Sequence, residues 1–186
     1  MTPSPALPPR TASRPRPTSG CGPSSASSKT AIHTSRRAPV LGSASSWRPG
    51  SVRAILVDAG PLVALLSRKD SHHEEIVAAI KKIEGPLVTV WPVLVEAMYL
   101  LSTWAAQKAL WEIMETGVVR LLDLDETDAP GMKSLMEKYK DLPMDLADAA
   151  LVHVAAREDI RTVLTVDKRD FGVYRLPRKG RFTLLP

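Results

Sequence analysis

From residue 54 onward, short runs of large apolar residues alternate with segments of helical spacing. The runs are 54–57 (A-I-L-V), 87–90 (L-V-T-V), 118–122 (V-V-R-L-L) and 162–166 (T-V-L-T-V), with a fifth, shorter one at 182–185. Strands this short and this uniformly apolar have no solvated face. With helices between them, they predict a parallel sheet covered on both faces, a three-layer α/β domain with a central sheet of about five strands.

The intervening segments carry helix signals. Gly60-Pro61 follows the first run, and Pro61 suits a first helical turn. Ser71-x-x-Glu74 reads as a capping box before Ile76, Val77, Ile80 and Ile83. Pro92 opens an apolar helix over 91–106, continued as helix through 115. Asp125 or Thr127 can cap a further helix running to about Lys140. His72 and His73 read as surface histidines, and His153 as a core histidine.

The most apolar helix is 144–156, M-D-L-A-D-A-A-L-V-H-V-A-A, whose length and composition place it in the core. Asp145 and Asp148 are three apart and share one face in its first turns, where the helix dipole favours negative charge. Two carboxylates on a buried helix are costly unless something positive meets them. Either they cap and pair structurally, or they hold a cation.

Further acids bear on that choice. Asp58 and Asp167 each follow a buried strand, and in open parallel sheets sites form outside the carboxyl ends of strands. Glu96 is the only charge in 91–106. If the strands are parallel, these acids converge on one edge of the domain. Two carboxylates about 4 Å apart repel by about 4 kcal/mol at an effective dielectric of 20. Several together need a cation or raised pKa values. An all-oxygen set selects Mg²⁺ or Mn²⁺ over zinc or copper, and the chemistry this suits is metal-assisted phosphoryl transfer.

Residues 1–53 differ from all of this. They hold 9 of the chain's 16 prolines, 12 serines and no Asp or Glu. Such a segment buries too little apolar surface to offset its ordering entropy, and it reads as disordered. Its Arg/Ser-rich, acid-free composition resembles an organelle transit peptide; another reading is upstream sequence joined by a misassigned start. The tail's 8 Lys/Arg, out of 25, leave 54–186 with 17 basic against 20 acidic side chains, so the net charge of +5 comes from the tail. Within the domain, Lys168, Arg169, Arg175, Arg178, Lys179 and Arg181 gather near the C-terminus, as a phosphate-binding surface or a solvated face. The lone cysteine, Cys21, excludes a disulfide framework in 54–186. No apolar run reaches membrane-spanning length, and a cytoplasmic protein is expected.

The segments V-D-A-G-P-L-V-A-L, V-L-V-E-A, M-D-L-A-D-A-A-L-V and T-V-D-K-R-D-F resemble, in order and spacing, the signatures of PIN-domain nucleases. Within that family they are most similar to the VapC-type toxin ribonucleases of bacteria and archaea. The resemblance covers 54–186 and none of 1–53. It implies a Mg²⁺- or Mn²⁺-dependent endoribonuclease leaving 5′-phosphate and 3′-hydroxyl ends, a homodimer, and a cognate antitoxin. Carried onto this chain, the catalytic and metal-binding acids are Asp58, Glu96, Asp148 and Asp167, with Asp145 as a companion. Thr165 is expected to position the last acid or bind phosphate, and Lys168 and Arg169 to hold the RNA backbone. Competing readings are a housekeeping PIN nuclease and a catalytically silent PIN-like RNA-binding or interaction module. A phosphatase using Asp58 as nucleophile typically carries a second Asp two residues on, where this chain has Gly60. No G-x-S-x-G, P-loop or dinucleotide fingerprint occurs.

Overall fold

The structure, a computed structural model, describes residues 53–186 except Pro143. The disordered tail expected over 1–53 lies, apart from Arg53, outside the described residues. In chain order the first half comprises β1 (Ile55–Val57), α1 (Ala59–Leu66), α2 (His73–Ile80), β2 (Leu87–Thr89), α3 (Trp91–Leu100) and α4 (Trp104–Glu115). The second comprises β3 (Val119–Leu121), α5 (Ala129–Lys138), α6 (Leu146–Arg157), β4 (Thr162–Leu164), α7 (Lys168–Val173) and β5 (Thr183–Leu185).

The five strands form one sheet in the order β3-β2-β1-β4-β5. Every neighbouring pair is parallel. Successive side chains of a strand point to opposite faces. Ile55, Leu56 and Val57 are all buried, so both faces of the sheet are covered at β1. This is the parallel α/β sheet expected from the uniformly apolar runs. The chain steps from β1 outward to β2 and β3, then returns to the other side of β1 with β4 and β5. The strand order therefore reverses between β1 and β4. At such a switch point the connections leave in opposite directions and open a crevice at the carboxyl ends.

Helix α6 is the central helix of the core. Seven of its twelve residues are buried, and it packs on α3 and α5, while α1 packs on α2, α3 and α4. Its Ala residues at 147, 149, 150 and 155 are all buried. Small side chains of this kind let neighbouring helices approach closely.

Three local expectations need correction. The apolar helix over 91–106 is two helices, broken after Leu100. Thr103 N-caps α4 by accepting from the Ala106 N–H, and the Gln107 amide donates to the carbonyls of Met98 and Leu101. These bonds satisfy both helix ends at the break. The Ser71 capping box does not form: α2 starts at His73, its N-cap His72 makes no side-chain cap bond, and the His72 N–H donates to Asp70 Oδ1 instead. Neither Asp125 nor Thr127 caps α5. Asp125 Oδ1 accepts from the Thr127 backbone and hydroxyl, and the N-cap position is taken by Asp128.

The Asp128 side chain turns away from its own helix. It accepts from the Asp125 N–H, from His153 Nε2 at 2.8 Å and from Arg157 Nη1 at 2.9 Å. Arg157 also donates to the Asp123 carbonyl. The Asp125 N–H, then His153 and Arg157, hold the Asp128 carboxyl at about 2. This clamp ties the C-terminal half of α6 to the start of α5. The His153 ring lies where a Cβ on residue 131 would sit, so Gly131 is needed for the approach. His153 is thus a half-buried partner of an acid rather than a plain core residue.

Candidate functional site

Asp58 follows β1 and caps α1, with Oδ1 accepting from the Ala59 N–H at 2.7 Å. Its other oxygen, Oδ2, accepts from the Thr165 hydroxyl at 2.8 Å. Thr165 follows the adjacent strand β4 and is fully buried. The Thr165 oxygen in turn accepts from the Asp167 N–H at 2.9 Å. One hydroxyl thus fixes the Asp58 carboxylate and the loop carrying Asp167 together, across the switch point. Gly60 permits this closeness, because a Cβ there would strike Val166.

Asp167 N-caps α7, accepting from the Asp170 N–H, and stands exposed. Asp145 is the N-cap of α6 and accepts from the Asp148 N–H at 2.9 Å. Asp148 lies in the first turn of α6, half-buried, where the helix dipole favours its charge. Its Oδ2 accepts from the Tyr174 hydroxyl at 2.9 Å. Glu96 projects, half-buried, from α3, which packs against both α1 and α6.

These acids act on one another. Burial raises the Asp58 carboxyl above its ordinary range against the opposing Thr165 and Ala59 bonds, and the charges of Asp145 and Asp167 add to the rise. Burial, then the charges of Asp145 and Asp58, push Glu96 up to about 6. Burial pushes Asp148 up to about 7 against the Tyr174 bond, with Asp58, Asp145 and Glu96 contributing. Asp58, Glu96, Asp145 and Asp148 therefore share one field, and Asp167 joins it through Asp58. Among the described residues, no Lys, Arg or His forms an ion pair with any of the five.

The donor set fits a hard divalent cation: carboxylate oxygens, no sulfur or imidazole, and an unbalanced negative charge. Among the described residues, no three His, Cys, Asp or Glu side chains are arranged to enclose an ion by themselves. An ion held here would need water ligands or a shift of side chains to complete its shell.

The basic residues stand apart from this group. Lys168 and Arg169 are exposed in the first turn of α7, directly after Asp167, and the Lys168 ammonium lies 3.6 Å from Glu75. Tyr174 was not singled out by the sequence reading. The available signal was Phe171 and Tyr174, three apart on one face just after the last acid.

The sign of the acid effect on stability is fixed by these shifts. Raised folded-state pKa values mean that the native chain binds more protons than the unfolded one. The stability these raised groups contribute is full below about pH 4, the ordinary carboxylate range, and is lost as pH rises towards the value of about 7 to which Asp148 is pushed. Thermal melts in EDTA are expected to show a falling melting temperature across that window, with a smaller fall for Asp148→Asn. A flat or rising profile, or identical profiles for the two proteins, would contradict the shared field.

A model of the PIN domain matches residues 55–177. Ribonuclease VapC26 of Mycobacterium tuberculosis is 29% identical over 135 residues, spanning 71% of this chain and 100% of that protein. Among solved structures, VapC20 of Mycobacterium tuberculosis, a sarcin-ricin loop cleaving toxin, superposes with a TM-score of 0.56 at 20% identity, covering 59% of this chain and 86% of its own. A toxin–antitoxin complex from Klebsiella pneumoniae gives 0.51 at 17% identity, covering 64% and 91%. At such identities the structural likenesses show the fold. The family match spans well over half of the chain and contains all five acids: the chain belongs to the PIN domain family.

Proposed function

We propose that this protein is a divalent-metal-dependent endoribonuclease, the toxin of a toxin–antitoxin pair, that hydrolyses RNA phosphodiester bonds. The observation that carries the reading is the group of mutually repelling acids at the β1/β4 switch point, with no cationic partner among the described residues. The likeness to a ribonuclease along the whole of that relative supports it.

Asp58, Asp148 and Asp167 would hold the ion, directly or through water, with Thr165 fixing the Asp58 carboxylate. Bound Mg²⁺, or Mn²⁺ in its place, supplies a water of lowered pKa and neutralises charge on the phosphate and the leaving oxygen. Glu96 orients the attacking water or helps to hold a second ion. Asp145 remains committed to its cap on α6. Lys168 and Arg169, at the start of α7, steady the RNA backbone, which sets register rather than base choice. The products carry 5′-phosphate and 3′-hydroxyl ends. A cytoplasmic location belongs to the same reading; among the described residues no helix is long and apolar enough to cross a membrane.

Two protein partners belong to the same reading. The first is a cognate antitoxin, supported by the structural neighbour solved as a toxin–antitoxin complex. A small partner gene directly upstream is the expected observation, and a solitary gene would favour a housekeeping nuclease. The second is another copy of this chain. Trp91, Val95, Tyr99 and Leu100 of α3 and Trp104 and Trp111 of α4 are exposed, and exposed apolar patches of this extent mark interfaces. Sedimentation at micromolar concentration is expected to give a dimer; a monomer would reject this partner.

The nuclease reading is tested by Asp148→Asn, which keeps the shape but removes one charge and one good ligand. It is expected to abolish Mg²⁺-dependent RNA cleavage and to shrink the rise in melting temperature that Mg²⁺ gives the native protein, since the ion binds the folded chain and hardly the unfolded one. Cleavage that survives the substitution, or that proceeds in EDTA, would end the assignment.

A further inference from the structure

The fully buried Tyr174 phenol donates its hydroxyl to Asp148 Oδ2 in the acid group. Its ring is fixed on two sides. Tyr139 meets it edge-on at 5.2 Å between centroids and Phe171 at 5.4 Å. Its backbone is fixed as well, because the Tyr174 N–H donates to the Asp170 carbonyl and Arg175 Nη1 donates to the Tyr174 carbonyl. The position of the hydroxyl is therefore set by packing. The Asp148 carboxylate can only accept, so the phenol is the donor.

We infer that Tyr174 is a positioning residue: its hydroxyl holds Asp148 Oδ2 so that the opposite oxygen, Oδ1, is presented to a divalent cation. Among the described residues, Asp148 Oδ1 accepts no hydrogen bond and Oδ2 accepts one. The Tyr174 bond thus makes the two carboxylate oxygens inequivalent and restricts rotation of the side chain. Thr165 does the corresponding work on Asp58, and both hydroxyls belong to the stretch around α7 that also carries Asp167. Carboxylates that ligate metals are commonly held by such outer hydrogen bonds, and losing one typically costs about 10–100-fold in metal affinity or activity. The inference rests on the divalent-metal reading of the acids.

Tyr174→Phe removes the hydroxyl and keeps the ring with both edge contacts. Tyr139→Phe is its counterpart. It removes a hydroxyl from the same aromatic cluster that accepts from the Arg175 N–H and touches none of the five acids. Calorimetric titration of Mg²⁺ into the metal-free full chain is expected to show Kd about 10–100-fold higher for Tyr174→Phe and unchanged for Tyr139→Phe. A Tyr174→Phe protein that binds Mg²⁺ as the native chain does would overturn the inference. Equal weakening in both variants would also overturn it, because cluster packing would then be the cause. A native chain that takes up no Mg²⁺ would instead remove the metal reading itself, and this inference with it.

Discussion

Like-charge repulsion among partly buried acids at the carboxyl edge of the sheet is the interaction on which this structure turns. Burial makes Asp58, Glu96 and Asp148 costly to ionise, and the charges of their acidic neighbours, Asp145 among them, add to that cost. Among the described residues nothing cationic pairs with them. A chain selected only for stability has no use for this arrangement, since replacing an unpaired buried charge normally relieves a penalty. The cluster is tolerated because the surrounding apolar packing is extensive and because four of the five acids have a donor or helix end directed at them. Asp58, Asp145 and Asp167 cap helices, and Asp148 sits in a first turn.

The fold concentrates the acids through topology. Reversal of strand order between β1 and β4 brings Asp58 and the Thr165–Asp167 loop side by side, although they are more than a hundred residues apart. Helix α6 supplies Asp145 and Asp148 from its N-terminus, while its C-terminal half is anchored far from the acids by the Asp128, His153 and Arg157 clamp. The two ends of α6 answer opposite electrostatic problems. At one, an acid is held at about 2 by donors from three residues; at the other, an acid is held at about 7 by burial and its acidic neighbours. The same side-chain type is thus pushed in opposite directions by its surroundings.

Much of this was legible in the residues. Runs such as I-L-V and T-V-L have no polar alternation, which leaves a strand buried on both faces as the simplest reading, and the parallel sheet follows. Asp58 and Glu96 were visible as lone charges in apolar surroundings, and helix 144–156 as too apolar for a surface. What periodicity reports is burial, not partners. The break after Leu100 depends on Gln107 reaching back to two carbonyls. The capping box at Ser71 loses to Asp70, a competitor one residue earlier. Asp125 and Thr127 read as helix caps, but the N-cap position falls to Asp128, whose partners His153 and Arg157 lie 25 and 29 residues on. Nothing in the sequence marks Tyr174 as a partner of the acids, because only the tip of its ring meets Asp148. In each case the deciding contact is a hydrogen bond whose partner is specified by the tertiary fold.

The central claim is that these acids form one divalent-cation site. Substoichiometric Mn²⁺ added to the isotopically labelled protein tests it directly, because a bound paramagnetic ion broadens the nearest carboxyl carbon signals first. The side-chain carboxyls of Asp58, Glu96, Asp148 and Asp167 are expected to disappear together, ahead of Asp128 and the exposed Asp159. Broadening that spreads evenly over the surface acids, or that begins at Asp159 while Asp58 and Asp148 stay sharp, would contradict it.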